Sequence, residues 1–166
     1  MPSYTTLKGG AHPLFGTELK KGDMFPNIRV NKDLFNLLST SEFAGKTVIY
    51  SVVPSLDTGV CDMQAKRFNE ELGKLGENVI VAVVSRDLPP AMARWCGAIT
   101  ANANLKLLSD FNLREFGKAT GTDIFNVGIL CRAIFVVGAD GVIKHVEYVK
   151  EITSHPNYDA AIAAAK

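Results

Sequence analysis

The chain has 166 residues, 47% of them hydrophobic and 21% charged, with 18 Lys and Arg against 17 Asp and Glu for a formal net charge of +1. That length suits one domain able to bury a core without staples, and the scattered basic residues (Lys20, Lys21, Lys66, Arg67) argue against a nucleic-acid or anionic-membrane binder. No segment approaches the roughly 18 apolar residues of a membrane span and the N-terminal stretch lacks a secretory apolar run; a cytoplasmic location is expected, where three cysteines suggest reactive thiols, metal ligands or buried small side chains rather than a disulfide framework.

Residues 4–20 alternate loosely around KGGAHPLFG and predict a hairpin with a glycine-rich turn. KKGDMFPNIRVNKD supplies turn residues around one short extended piece, and LFNLLSTSEFAGK reads as a helical turn or two with a Gly stop. Thr47 to Val53, TVIYSVV, is β-branched and almost wholly apolar, as a strand covered on both faces would be. From Val60 to Gly73 the apolar positions fall at helical steps. Asn78 to Asp87 predicts a second buried strand, PPAMARWCGA a helix with prolines in its first turn, and LKLLSD a short strand. LREFGKATGT reads as a short helix ending at glycine. CRAIFVVGADGVIKHVEYV predicts two strands around the turn Gly138 to Gly141, and HPNYDAAIAAAK a closing helix that starts near Pro156 or Asn157. This order predicts an α/β fold with helices covering a mixed sheet.

The stretch PSLDTGVC, Pro54 to Cys61, carries the chemistry. A helix that begins near Thr58 or Gly59 has Cys61 in its first turn, where unpaired N–H groups and the positive end of the dipole favour an anion such as a thiolate. Without that context, a cysteine here would be read as a small buried hydrophobe.

Pro54-x-x-x-Thr58-x-x-Cys61, after a buried strand and opening a helix, resembles the signature of the peroxiredoxins, and the fuller string resembles the thiol peroxidase subgroup of atypical two-cysteine members. SRDLPPAMARWCGA, LLSDF, CRAIFVV and EITSHPNYDAAI extend the resemblance along essentially the whole chain. It implies one thioredoxin-like domain over 1–166, with a mixed central sheet flanked by helices and residues 1–22 as an N-terminal hairpin extension. It also implies a thiol-dependent peroxidase acting on hydrogen peroxide and alkyl hydroperoxides in antioxidant defence, with no cofactor and no metal, thioredoxin as reductant, and a homodimer.

Residue by residue, the resemblance assigns Cys61 as the peroxidatic cysteine, Thr58 as the hydroxyl that holds the peroxide, and Pro54 as a shield against bulk water. Thr58 could also cap the helix, and Pro54 could also end the strand. Arg132 matches the strand arginine beside the thiolate, and a charge entering the apolar LCRAIFVV already asks for an anion opposite it. Cys96 matches the resolving cysteine, and the starts of the Cys61 and Cys96 helices are expected to rearrange for a disulfide to form. Cys131 is expected to be a core residue within a strand. His12, His145 and His155 form no ligand set with the cysteines.

Three rivals stand beside this reading. A disulfide oxidoreductase of the thioredoxin type needs C-x-x-C, and Thr58 occupies the first thiol's place. A redox sensor would use its thiol once per signal, and an α/β binding domain would leave its cysteines inert.

Overall fold

Two sheets organise residues 3–166, which the computed structural model describes. The chain begins with the antiparallel hairpin β1 (Tyr4–Leu7) and β2 (Gly10–Phe15). Lys8 and Gly9 turn it with φ of 51° and 84°, the left-handed pair that suits a tight hairpin. Part of the expected 1–22 extension, Met1 and Pro2, lies outside the described residues.

Next come β3 (Arg29–Asn31) and β4 (Leu37–Ser39), followed by a single 3-10 turn over Thr40–Phe43. The expected helix in LFNLLSTSEFAGK is thus corrected to a strand and one tight turn. Its leading apolar residues pair with β3 (Val30↔Leu38), and only Ser39 to Glu42, a capping box, keeps helical character.

β5 (Thr47–Val52) leads into α1 (Gly59–Leu75), β6 (Val79–Ser85), α2 (Pro89–Gly97) and β7 (Leu105–Ser109). All seven residues of β6 are buried, because it lies between β5 and β7 in parallel register with helices over the sheet. α1 stops at Gly76, whose φ of 90° no other residue type adopts without strain. α2 opens on Pro89 and Pro90, whose missing N–H groups cost nothing in a first turn.

The remainder comprises α3 (Glu115–Thr120), β8 (Asp123–Ile124), β9 (Ile129–Leu130), β10 (Ala133–Val137), β11 (Ile143–Tyr148) and α4 (Tyr158–Ala165). Asn157 caps α4 by accepting a hydrogen bond from the Ala160 amide at 3.0 Å. The large sheet runs β11-β10-β5-β6-β7-β3-β4, parallel at its centre and antiparallel toward both edges; β1-β2-β8-β9 form a second, antiparallel sheet. β8 and β9 are only two residues each and carry no periodicity that a sequence reading could use.

Alternation along β5 divides the core. Val48, Tyr50 and Val52 face Phe116, Phe135 and Ile143, whereas Ile49 and Val53 face Phe68, Met92, Ile134 and Ala161. Phe68 of α1 is fully buried on the second face, worth roughly 2–3 kcal/mol by area removed from water. Cys61 belongs to that same face.

Candidate active site

The site grows from the end of β5. Pro54 is buried just beyond the strand, and Ser55 to Thr58 form an irregular loop into α1. Asp87, just past β6, holds this loop from below: its carboxylate accepts from Ser55 Oγ at 2.7 Å, the Leu56 amide at 2.8 Å and Ser85 Oγ at 2.7 Å. Three donors on one carboxylate fix where the loop can go.

Thr58 is the N-cap residue of α1 by backbone geometry, with φ −109° and ψ 149°, yet its side chain makes no capping bond. The hydroxyl instead donates to Ser55 O at 3.0 Å. That corrects the capping alternative and has a chemical consequence: with its hydrogen committed, the exposed oxygen presents lone pairs that can accept an O–H from an incoming molecule.

Cys61 occupies the third position of α1, with no solvent exposure. The first intrahelical bond runs from the Asp62 amide to Thr58 O, so the N–H groups ahead of it remain unpaired within the helix and favour negative charge at the sulfur. Arg132 Nη2 donates to Cys61 Sγ at 3.3 Å. Arg132 is 2% exposed, the largest of the fully buried side chains. Among the described residues no carboxylate lies within ion-pair distance of it; its other bonds run to the Ile152 carbonyl, from Nε at 2.9 Å and Nη2 at 2.7 Å, and to Gln64 Oε1, from Nη1 at 2.8 Å. A buried cation without a carboxylate is costly, and the group its free N–H faces is the Cys61 sulfur. The geometry can therefore stabilise a thiolate and, as a bond to sulfur forms, a departing oxyanion beside it.

Sequence reasoning missed the residues that aim this arginine. Gln64, one turn beyond Cys61 and fully buried, accepts from Arg132 and donates to Ser51 Oγ of β5 at 2.7 Å. Its place among charged and apolar neighbours on α1 was the only available signal. The Ile152 carbonyl is held by the N-terminal hairpin: the Ile152 amide donates to Thr6 O at 2.9 Å and the Thr6 amide to Lys150 O at 2.7 Å. β1 thus reaches the site through one backbone ladder.

Arg132 and Cys131 do not sit within a strand as expected. They form the two-residue step between β9 and β10, where the Arg132 carbonyl still accepts from the Val149 amide at 2.9 Å. The alternation of an extended chain sends their side chains to opposite sides of the sheet. Cys131 falls in the core beside Leu130 and Phe135, and burial pushes its thiol up to about 12. Cys131→Ala is expected to keep full peroxide turnover and lose about 1 kcal/mol of stability; a chemical melt and a turnover assay check both halves.

Cys96 is not brought to Cys61. It lies in the last turn of α2, not near that helix's start, and faces a cavity of about 760 Å³ lined with Phe35, Met92 and Leu107, a lining that does not include Cys61. All three cysteines are free. The Cys61 and Cys96 sulfurs are unbonded, so a disulfide between them requires α1, α2 or both to shift.

The Redoxin family profile matches residues 20–162. The chain is 46% identical to the thiol peroxidase of Bacillus subtilis over 161 residues, 97% of this chain and 95% of that one, and 45% identical to the thiol peroxidase of Halalkalibacterium halodurans over 161 residues, 97% and 96% of the two chains. Among solved structures, a peroxiredoxin-like protein from Aquifex aeolicus superposes with a TM-score of 0.86 at 37% identity, covering 98% of this chain and 95% of that one. With Cys61 at a helix start against a buried arginine, on a fold and sequence similar to these along nearly their whole length, the chain belongs to the Redoxin family and, within it, to the thiol peroxidases of the peroxiredoxin type.

Proposed function

We propose that this enzyme reduces hydrogen peroxide and organic hydroperoxides through Cys61, resolves the product through Cys96 and is returned to its starting state by thioredoxin. The reading is carried by one observation: a buried arginine, with no carboxylate partner among the described residues, directs Nη2 to Cys61 Sγ at 3.3 Å.

The Cys61 thiolate attacks one oxygen of the peroxide. The O–O bond breaks, sulfur becomes a sulfenic acid, and the other oxygen leaves as hydroxide or alkoxide and takes up a proton. Thr58 accepts from the peroxide O–H and aligns it for displacement, because its own hydrogen is spent on Ser55 O. Arg132 balances charge as it passes from sulfur to the leaving oxygen. Pro54, buried at the strand end, limits water around the thiolate.

Cys96 then attacks the sulfenic sulfur, releasing water and forming a Cys61–Cys96 disulfide. Two thiols of thioredoxin reduce that disulfide by exchange and are themselves oxidised. The single-domain organisation with residues 1–22 as an extension, the homodimer and the cytoplasmic location belong to the same reading and rest on the family resemblance. Among the described residues, no helix is long and apolar enough to cross a membrane.

The test is thioredoxin-coupled NADPH oxidation with wild type and Cys96→Ser, alongside peptide mass mapping after one equivalent of peroxide. Wild type is expected to turn over repeatedly and to show the Cys61–Cys96 linkage; Cys96→Ser is expected to react once and then stall. Undiminished thioredoxin-driven turnover in Cys96→Ser would remove that residue from the cycle. Consumption of only about one equivalent by wild type would favour the sensor instead.

A further inference from the structure

Cys61 and Cys96 each have a neighbour in the chain that binds the other's neighbour. Trp95 Nε1 donates to Asp62 Oδ1 at 2.7 Å, joining the residue before Cys96 to the residue after Cys61. The other carboxylate oxygen, Oδ2, accepts from Lys66 Nζ at 2.9 Å within α1. Burial works against the charge of Asp62, but the bonds from Lys66 and Trp95 outweigh it and hold the carboxyl below the usual carboxylate range, so the acceptor is ionised at neutral pH.

Seven residues along, on the same face of α1, Asn69 repeats the contact: its Nδ2 donates to Thr100 O at 2.9 Å and its Oδ1 accepts from the Asn102 amide at 2.8 Å. The segment between, Gly97 to Ala103, is mostly exposed and belongs to no regular element beyond the end of α2. Asp62 and Asn69 thus clasp the chain on both sides of Cys96.

In the clasped arrangement, Cys61 Sγ is seated on Arg132 with no solvent exposure, and Cys96 lines a cavity whose lining does not include Cys61. Bringing the two sulfurs to bonding distance moves the first turn of α1 and the last turn of α2. Neither turn can move far without parting Trp95 from Asp62.

Resting on the reading of Cys96 as the resolving thiol, we propose that Asp62 and Trp95 are positioning residues that restrain disulfide formation, and so set how long the Cys61 sulfenic acid survives and how readily excess peroxide carries it to sulfinic acid. The bond does not touch the peroxide or the reacting sulfur. It acts only through the opening that must precede the step Cys–SOH + HS–Cys → Cys–S–S–Cys + H2O.

Rapid quenching and peptide mass analysis of wild type, Trp95→Phe, Asp62→Asn and Lys66→Met separate the two steps. Loss of a hydrogen bond to a charged group is expected to raise the resolution rate of Trp95→Phe about tenfold, with a parallel rise in the peroxide dose that yields sulfinic acid. Asp62→Asn shifts both in the same direction by less, because a neutral amide oxygen still accepts. Lys66→Met, which leaves the Trp95 bond in place, resolves at the wild-type rate, and all four consume the first equivalent of peroxide equally fast. Unchanged or slower resolution in both Trp95→Phe and Asp62→Asn, with the linkage still formed, overturns the clasp. Absence of the linkage in wild type overturns instead the assignment of Cys96 on which the clasp rests. Should Trp95→Phe fail to fold, the isosteric Asp62→Asn decides.

Discussion

Cys61→Ser is expected to reduce peroxide turnover to the rate of uncatalysed decay while leaving the fold intact. The two side chains have the same connectivity, and a serine hydroxyl in this seat can still accept from Arg132 Nη2, which reaches Cys61 Sγ at 3.3 Å. Chemistry, not packing, is what changes. A thiolate is a strong nucleophile toward an O–O bond, whereas an alcohol in the same seat is a poor one. Thioredoxin-coupled NADPH oxidation measures the loss, and circular dichroism with thermal melting reports the fold. Residual turnover above a few per cent of wild type would show that another thiol carries the reaction. Cys131 is a poor substitute, since it is buried on the opposite face of the sheet with its thiol pushed up to about 12.

Arg132→Met is expected to slow the reaction of Cys61 with peroxide by about 10²–10³-fold, the usual range for deleting one preorganised donor at a site of developing negative charge. Methionine retains much of the apolar volume but removes the cation facing sulfur and the donors to Gln64 and Ile152. Effects on stability oppose each other. A buried charge without a carboxylate is relieved, while the Ile152 carbonyl and the Gln64 amide oxygen lose their partners. The net change is expected to stay within about 2 kcal/mol, so a stopped-flow peroxide titration moves far more than the melting temperature. Arg132→Lys is expected to fall between the two, because a single ammonium cannot serve Ile152, Gln64 and the sulfur in one fork. A peroxide rate within threefold of wild type in Arg132→Met would sink the role given to this residue.

These outcomes bear on which parts of the molecule a sequence can carry. The placement of Pro54, Thr58 and Cys61 is legible in the sequence because it depends on neighbours close along the chain: a β-branched strand that stops, a loop of small residues, and a helix whose first turn collects the sulfur; the roles proposed for them come from the resemblance to peroxiredoxins. The parallel β5–β6–β7 centre is legible for a related reason, since Val79 to Ser85 is apolar almost throughout and a strand covered on both faces needs that. By contrast, β8 and β9 have two residues each and exist because β2 offers an edge to pair with, a condition absent from their own composition. LFNLLST reads as helix until β3 is present to pair with it.

Within the site, an apolar segment interrupted by Arg132 announces an unpaired charge, and the resemblance to peroxiredoxins names the anion. Neither says that Gln64, Ser51 and the Ile152 carbonyl aim the guanidinium, or that the N-terminal hairpin supports that carbonyl through Thr6. The Arg132–Gln64, Arg132–Ile152 and Thr6–Lys150 links join residues 68, 20 and 144 positions apart, separations over which hydrogen-bond geometry leaves no local pattern. The helix that carries Cys61 and the α/β kind of fold that presents it can be read from residue order, because each follows from periodicity and nearest-neighbour chemistry, whereas the role proposed for Cys61 comes from the resemblance. What faces the sulfur, what holds Arg132 in place, and that Cys96 lies in the last turn of its helix beside a Trp95 bonded to Asp62 emerge only in the folded chain, because they depend on which remote donors and acceptors the packed sheet brings within bonding reach of one another.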